Sequence, residues 1–212
     1  AQPSIALGAV DITVEDMVAA YGTFANQGVY VKPQFISRIE DKSGVVIYEP
    51  IPESHDVLNK DIAFAVIKLL EGVTETGSGV RLRTEGGGSG DNRWTGYPYM
   101  FRNPIAGKTG TTQNQSDGWF MGMVPNLVTG VWVGCEDRSA RFKSLTYGQG
   151  ATAALPVWGY FMKKCYEDET LKVSKEEFDR PSNLSIKVDC YTRPAVVKDT
   201  TAVEQETEEF EL

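Results

Sequence analysis

The residues with the clearest potential for chemistry are Lys108, Thr109 and Gly110, which directly follow Gly107. A glycine, a lysine and a threonine in this order can end a phosphate-binding loop, but that loop needs another glycine five residues before the first. Position 102, where that glycine would stand, is Arg102. The preceding residues do not form an apolar strand, and those that follow alternate like strands instead of starting a helix. The spacing therefore argues against a phosphate-binding loop.

Apolar runs after these residues predict the elements that hold them. Residues 119–124 and 127–133 are separated by Pro125 and Asn126, a pattern typical of two strands joined by a two-residue turn. The shorter run 105–110 predicts a strand just before them, connected through a polar loop. Lysine at 108 is therefore expected on, or at the end of, a strand whose neighbour in the sheet follows directly.

Several motifs occur in order around this strand. From the N-terminus they are Pro-Ser-Ile-Ala-Leu-Gly at 3–8, Ala-Ala-Tyr-Gly-Thr-Phe-Ala-Asn-Gln-Gly at 19–28, Gly-Lys-Thr-Gly-Thr-Thr at 107–112, Asp-Gly-Trp-Phe-Met-Gly at 117–122, Thr-Gly-Val-Trp-Val-Gly at 129–134 and Gly-Gln-Gly-Ala-Thr-Ala-Ala-Leu-Pro-Val-Trp at 148–158. Together they resemble the transpeptidase domain of bifunctional, class A penicillin-binding proteins over most of residues 3–165. The resemblance implies an α+β fold with an antiparallel sheet flanked by helices, part of the fold shared by penicillin-binding proteins and serine β-lactamases.

The resemblance also implies roles for five consecutive residues. Lys108 would supply positive potential beside the nucleophile and the substrate carboxylate, and the hydroxyls of Thr109 and Thr111 would bind that carboxylate. The backbone N–H of Thr111 would be one of two oxyanion-hole donors. Gly110 and Thr112 would shape an edge on which the substrate peptide lies as a strand. The implied catalytic residues are thus Lys108 and Thr111, and the implied substrate-binding residues are 109–112.

One part of the family pattern has no counterpart in this sequence. The family carries its nucleophile in Ser-x-x-Lys and a second serine in Ser-x-Asn, and no serine of the 212 residues begins either spacing. We expect the chain to be the C-terminal part of the domain, inactive alone. The upstream half would carry the serine, and an N-terminal membrane anchor would hold the parent protein on the extracytoplasmic side, facing the periplasm.

The expected function is part of a peptidoglycan D,D-transpeptidase. Such an enzyme cross-links stem peptides ending in D-Ala-D-Ala through an acyl-serine intermediate, and it binds β-lactam antibiotics. Two alternatives stay open. The first is a serine-free, non-catalytic module that binds wall peptide or a protein partner, and the second is a serine β-lactamase, which fits residues 148–158 less well.

Composition excludes several other classes. The net charge is −8 and no run of lysine and arginine is present, which argues against nucleic-acid binding. No apolar stretch reaches 18 residues, so no membrane span is expected within the chain itself. Five glutamates after Asp199 have no opposing base, which predicts a disordered acidic tail over 199–212 following a domain over 1–198.

The cysteines and the single histidine, His55, do not have metal-binding spacing, so neither a metal site nor a cofactor is expected. Cys135 follows an apolar strand and Cys165 lies in an apolar helix, and both are expected to be reduced core residues. The sequence does not decide whether either of them pairs with Cys190.

The remaining elements are helices and a hairpin. Helices are predicted over 13–27 with Thr13 as N-cap, over 59–72 with Asn59 as N-cap, and over 150–166. A hairpin is predicted from 35–40 and 45–48, and a strand from 184–188. The residues expected to face inward on the second and third helices are Ile62, Val66, Leu69, Leu70, Leu155, Trp158, Phe161 and Met162.

Residues 74–102 form the longest irregular piece. The glycine-rich run 86–90 is interpreted as a native insertion in preference to an engineered linker, because aromatic residues follow at once. These are Trp94, Tyr97, Tyr99 and Phe101, which are expected to cover a sheet edge, with lining of the substrate groove as the alternative. Residues 76–79 resemble the turn that precedes the lysine-bearing strand in the family. Asp117, although close to this strand, is interpreted as structural.

Overall fold

The structure is a computed structural model, and it describes residues 3–8, 10–83 and 99–188. The helices are α1 (Val14–Ala25), α2 (Lys60–Glu75), α3 (Leu145–Gly148), α4 (Gly150–Ala153) and α5 (Leu155–Glu167). The strands are β1 (Val29–Val31), β2 (Ile39–Glu40), β3 (Val46–Tyr48), β4 (Ser54–Asp56), β5 (Ala106–Thr111), β6 (Asp117–Val124) and β7 (Leu127–Gly134).

The main sheet contains β5, β6 and β7 in that order, all antiparallel. Val124 and Leu127 are paired, so Pro125 and Asn126 form the two-residue turn predicted from the sequence. Two small pairs, β1 with β4 and β2 with β3, lie outside this sheet. The predicted α+β class and the predicted strand before the hairpin are confirmed.

Helices pack on both faces of the main sheet, and each face has its own core. On one side Phe120 and Val124 of β6 pack with Leu155, Trp158 and Met162 of α5. On the other side the buried residues are Phe64, Ile67, Ala106, Met123 and Phe178, with the aromatic residues of α1 against them. Because successive residues of a strand point to opposite faces, β6 serves both cores and is almost entirely buried.

Helix α1 begins as expected, after the N-cap Thr13, and ends at Ala25, two residues before the predicted end at Gln27. The Thr13 hydroxyl accepts a hydrogen bond from the backbone N–H of Asp16 at 3.1 Å and donates to the Asp16 carboxylate at 2.7 Å. After Ala25 the chain reverses at Gly28, whose φ is +94°. A Cβ at Gly28 would lie 2.1 Å from the carbonyl oxygen of Leu58, so glycine is required there on two grounds.

Helix α2 differs from the prediction in length and in its buried face. It continues to Glu75, and Asn59 occupies the N-cap position without a capping hydrogen bond from its side chain. Ile62 is 39% exposed and Leu69 is 73% exposed, so the prediction that both face inward is wrong. The buried residues of the helix are Ala63, Phe64, Ile67, Glu71 and Thr74. The cause is contact with β5, because the Thr74 hydroxyl donates to the carbonyl oxygen of Ile105 at 2.6 Å.

The predicted helix over 150–166 is divided into α4 and α5. Pro156 lies in the first turn of α5, where its missing N–H costs little. Leu155, Trp158 and Met162 are buried as predicted, whereas Phe161 is 49% exposed, contrary to the prediction. The buried face of α5 consists of Leu155, Trp158, Gly159, Met162 and Cys165, and Phe161 lies beside this face.

Other predictions have mixed outcomes. The hairpin is present as the shorter strands β2 and β3, and residues 184–188 are not a strand.

Cys165 is buried as expected, but Cys135 is exposed because β7 ends at Gly134 and the chain leaves the sheet there. The predictions for Cys190, for residues 86–90, for Trp94 and Tyr97 and for the acidic tail 199–212 concern residues outside the described ranges. Tyr99 and Phe101 are buried, and Phe101 packs against the rings of α5.

Candidate functional site

The predicted site residues lie together on β5 and just after it. Lys108, Thr111 and Thr112 are exposed, while Thr109 and Gly110 are half-buried. β6 pairs with one side of β5, and within the described ranges no strand pairs with its other side. We call that free side of residues 106–111 the open edge. An unpaired strand edge of this kind can accept an extended peptide through backbone hydrogen bonds.

The backbone N–H and C=O groups of alternate residues in β5 face the open edge instead of β6. The backbone N–H of Thr112 donates to the carbonyl oxygen of Asp117 at 3.1 Å, in the same register as the β5–β6 pairing. In an antiparallel ladder, hydrogen-bonded and non-hydrogen-bonded pairs alternate. Thr111 and Thr109 therefore direct their backbone N–H and C=O groups toward the open edge. The Nζ of Lys108 fits this geometry, since it donates to the carbonyl oxygen of Thr109 at 2.8 Å.

The lysine and threonine side chains leave β5 on opposite faces. Lys108 is paired with Met121 and Thr109 with Phe120, and successive residues of a strand point to opposite faces of the sheet. Thr111 shares the face of Thr109, and its hydroxyl accepts a hydrogen bond from the backbone N–H of Gly150 at 2.9 Å. The ammonium and the two hydroxyls thus surround the open edge from both faces.

Glycine at two positions lets the first turn of α4 rest directly on the sheet. A Cβ at Gly150 would lie 2.3 Å from the carbonyl oxygens of both Gly110 and Trp119. A Cβ at Gly118 of β6 would lie 3.3 Å from the Cβ of Ala153 and 3.5 Å from the Cα of Gly150. These contacts leave no room for larger side chains, so they fix the position of β5 relative to α4.

The loop after β5 is held by a buried carboxylate. Asp117 accepts hydrogen bonds from the hydroxyls of Thr112 and Ser116 at 2.9 and 2.8 Å and from the indole N–H of Trp132 at 3.0 Å. Burial raises the pKa of Asp117, but these three hydrogen bonds outweigh burial, so its pKa lies below the ordinary carboxyl value. The interpretation of Asp117 as structural agrees with these contacts, and the hydroxyl of Ser116 is engaged with it.

Two functional candidates make contacts that the sequence alone does not reveal. Ser78, in the turn after α2, lies with its Oγ 2.6 Å from the Oγ1 of Thr109. The amide of Gly150 contacts Thr111, as given above. The sequence of residues 76–79 resembles a turn of the family, but a contact between residues 31 positions apart follows from no periodic pattern. Neither a group of three potential metal ligands nor a helix able to cross a membrane is present in the described part of the chain.

Comparison with known proteins identifies relatives of this chain. A family model described as the penicillin binding protein transpeptidase domain matches residues 1–153. The chain is 34% identical over 198 residues to penicillin-binding protein 1A of Aquifex aeolicus (strain VF5), covering 93% of this chain and 24% of that protein. It is 33% identical over 171 residues to penicillin-binding protein 2D of Bacillus subtilis (strain 168), covering 80% and 22%. The chain therefore spans about a quarter of the length of these curated relatives.

Solved structures have the same fold. The penicillin-binding protein PonA1 from Mycobacterium tuberculosis matches with a TM-score of 0.68 at 25% identity, over 97% of this chain and 50% of that one. Its complex with penicillin V matches with a TM-score of 0.64 at 25% identity, over 86% and 44%. Penicillin-binding protein 1A from Haemophilus influenzae gives 0.65 at 24% identity, over 86% and 30%. The partial penicillin-binding-protein transpeptidase fold expected from the motifs is confirmed.

Proposed function

The chain belongs to the penicillin-binding protein transpeptidase family, and on that premise we propose that it forms the lysine-bearing wall of a peptidoglycan D,D-transpeptidase. The nucleophile would be a serine in an upstream half of the same domain, because no serine of this sequence has the Ser-x-x-Lys spacing. We further propose that the whole protein is anchored in the cell membrane through an N-terminal segment and acts on its extracytoplasmic side, where stem peptides are.

The proposed reaction has two acyl-transfer steps. The serine Oγ attacks the carbonyl carbon between the two D-alanines of a stem peptide, the amide C–N bond breaks, and the terminal D-alanine leaves with the proton on its amine. An amine of a neighbouring stem peptide then attacks the acyl-serine ester. The new amide forms and the serine recovers its proton. A β-lactam follows only the first step, because its amide bond lies in a ring and the leaving amine stays attached.

Each site residue has a role in the first step. Lys108 provides a positive charge near the serine and the terminal carboxylate, and the hydroxyls of Thr109 and Thr111 donate hydrogen bonds to that carboxylate. The N–H of Thr111 binds the oxyanion, together with the N–H of the serine. Loss of one such donor costs about 2.7–4 kcal/mol of transition-state stabilisation. Gly110 and Thr112 keep the edge clear for the peptide backbone.

The observation that carries this proposal is the orientation of the Thr111 backbone. Its N–H faces the open edge, as does the carbonyl group of Thr109, which accepts a hydrogen bond from the Lys108 ammonium at 2.8 Å. A threonine amide tied into the ladder with β6 would have no donor available for a substrate oxygen. The close contact of Gly150 in α4 with the backbone of Gly110 holds this strand in place. Preorganised donors of this kind cost no reorganisation during the reaction.

Covalent labelling tests the proposal. The longer protein, meaning this chain together with the proposed upstream half, is expected to retain a fluorescent penicillin after denaturation and electrophoresis. Prior incubation with unlabelled penicillin V is expected to abolish the fluorescent band. The isolated 212-residue chain is expected to remain unlabelled under the same conditions. A covalent band on the isolated chain would overturn the assignment of the nucleophile, and an unlabelled longer protein would overturn the proposed reaction.

The non-enzymatic alternative makes a different prediction about the gene. A serine-free module that binds wall peptide needs no Ser-x-x-Lys encoded upstream of Ala1, whereas the transpeptidase requires one. Sequencing the DNA immediately upstream of that codon separates the two hypotheses before any protein is made.

A further inference from the structure

The turn that follows α2 is fixed in place beside the open edge. The backbone N–H of Gly77 donates to the carbonyl oxygen of Gly72 at 3.2 Å, and that of Gly79 donates to Val73 at 2.9 Å. A Cβ at Gly77 would lie 2.9 Å from the backbone of Val73, so the turn is pressed against the end of the helix. Ser78 stands between the two glycines and is exposed.

Three hydrogen bonds connect the residues on either side of this turn with the residue before β5 and with α4. On the α2 side, the Thr74 hydroxyl donates to the carbonyl oxygen of Ile105 at 2.6 Å. Toward α4, the guanidinium of Arg81 donates to the carbonyl oxygen of Ala151 at 3.2 Å and to the hydroxyl of Thr152 at 2.8 Å. Ser78 is therefore carried by a segment that hydrogen bonds hold to the residue before β5 and to α4, and these contacts position it beside Thr109.

The hydroxyls of Ser78 and Thr109 form a pair whose donors are only partly used. Their oxygens are 2.6 Å apart, so one hydroxyl donates to the other. Each hydroxyl has one O–H donor and can accept two hydrogen bonds. While the two bond each other, at most one O–H is free. A carboxylate that lies between the two hydroxyls can accept a hydrogen bond from each of them, one on each carboxylate oxygen. Two charge-assisted hydrogen bonds then replace the neutral one between the hydroxyls.

We propose that Ser78 is a ligand of the substrate carboxylate and that it closes a hydroxyl clamp with Thr109. The inference rests on the proposed function, and it extends that site to a residue outside the strand. The Lys108 ammonium contacts the backbone of one member of the clamp, because it donates to the carbonyl oxygen of Thr109 at 2.8 Å. The clamp selects an ionised terminal group, since a neutral ester accepts weaker hydrogen bonds.

The end of α2 does not oppose an anion at this position as strongly as a bare helix terminus would. A helix C-terminus carries partial negative charge because its last carbonyl groups lack partners. Here the N–H groups of Thr76 and Gly77 donate to Gly72, and that of Gly79 donates to Val73. With those two carbonyls engaged, the partial negative charge at the end of α2 is reduced.

The experiment compares two ligands that differ only in charge at the carboxyl group, penicillin V and its methyl ester. The second-order rate constant for acylation is measured in the longer protein for wild type, Ser78→Ala, Ser78→Thr and Thr76→Ala. The Thr76 hydroxyl donates only to the carbonyl oxygen of Gly72, at 3.3 Å, so this substitution two residues away is a matched control.

Ser78→Ala is expected to slow acylation by penicillin V about tenfold or more, which is the usual range for losing a hydrogen bond to a charged group. Acylation by the ester is expected to change less than about twofold, and Ser78→Thr is expected to restore most of the rate with penicillin V. Thr76→Ala is expected to leave the ratio of the two rates at the wild-type value.

Equal slowing of both ligands by Ser78→Ala would overturn the inference, because it would mean that Ser78 only supports the strand. No slowing of either ligand would overturn it as well. If wild-type protein is not acylated by penicillin V at all, the proposed function fails and this inference fails with it. If wild type is acylated, and the ratio of the rate constants for penicillin V and its methyl ester is the same in Ser78→Ala as in wild type, the clamp is rejected and the proposed function is not.

Discussion

The hydroxyl oxygen of Thr111 accepts a hydrogen bond from the backbone N–H of Gly150 at 2.9 Å. This contact joins the end of β5 to the first residue of α4, 39 positions later in the chain. Because a hydroxyl has a single donor, the contact orients the Thr111 oxygen and leaves its O–H available for another acceptor. The same residue can therefore hold the strand against the helix and donate to a substrate carboxylate.

Replacement of Thr111 by valine tests the structural half of this statement. Valine keeps the branched shape but leaves the buried N–H of Gly150 without a partner, which is expected to lower the free energy of unfolding by about 1–3 kcal/mol. Thr111→Ser keeps the acceptor and is expected to stay within about 1 kcal/mol of wild type. Urea unfolding of both variants measures the difference, and equal stability of valine and wild type would contradict it.

Removal of the Lys108 ammonium tests its proposed role in substrate binding. Lys108→Ala in the longer protein is expected to reduce the second-order rate constant for acylation by penicillin V about tenfold to a hundredfold, because a charged hydrogen-bond donor to the carboxylate is lost. The melting temperature should hardly change, since Lys108 is exposed. Lys42→Ala, an exposed lysine in the turn between β2 and β3, is the matched control. Unchanged acylation in Lys108→Ala would refute the role.

A methyl group at Gly150 tests the close approach of α4 to the sheet. The Cβ would lie 2.3 Å from two backbone carbonyl oxygens, which cannot move without breaking the β5–β6 pairing. Gly150→Ala is therefore expected to destabilise the chain by more than about 2 kcal/mol. Gly72→Ala, inside α2 with nothing within 4 Å of its Cβ, is expected to stabilise by about 0.5–1 kcal/mol. Thermal melts of the two variants should move in opposite directions.

The buried carboxylate of Asp117 predicts a dependence of stability on pH. Its folded pKa lies below the unfolded value, so its contribution is complete above the unfolded pKa, about 4, and is lost as pH falls through the folded pKa. Asp117→Asn is expected to cost about 1–3 kcal/mol at pH 7, and the difference from wild type is expected to shrink below about pH 4. Urea unfolding at pH 3, 5 and 7 measures this. A difference that grows as pH falls would contradict the sign.

Local patterns predicted the strands that carry the site. β5, β6 and β7 follow one another with short connections, so the apolar runs and the turn at Pro125 were enough to predict their order and pairing. The cap at Thr13 was predictable for the same reason, since both partners lie within one turn of a helix.

Contacts between distant segments could not be predicted in this way. The inward face of α2 was misassigned because Glu71 and Thr74 are buried, and periodicity alone treats such residues as outward. Glu71 is paired with Lys68 at 2.5 Å, and Thr74 donates to Ile105. The contact of Ser78 could not be predicted for the same reason, because its partner Thr109 lies 31 positions later in the sequence.

The most direct measurement is to locate the acyl group itself. The longer protein is treated with penicillin V, digested, and its peptides are sequenced by mass spectrometry to find the residue that carries the penicilloyl group. We expect the group on the serine of a Ser-x-x-Lys sequence outside these 212 residues. A penicilloyl group on any residue of this chain, Ser78 and Ser116 included, would contradict the proposal that this chain supplies the wall of the site and not its nucleophile.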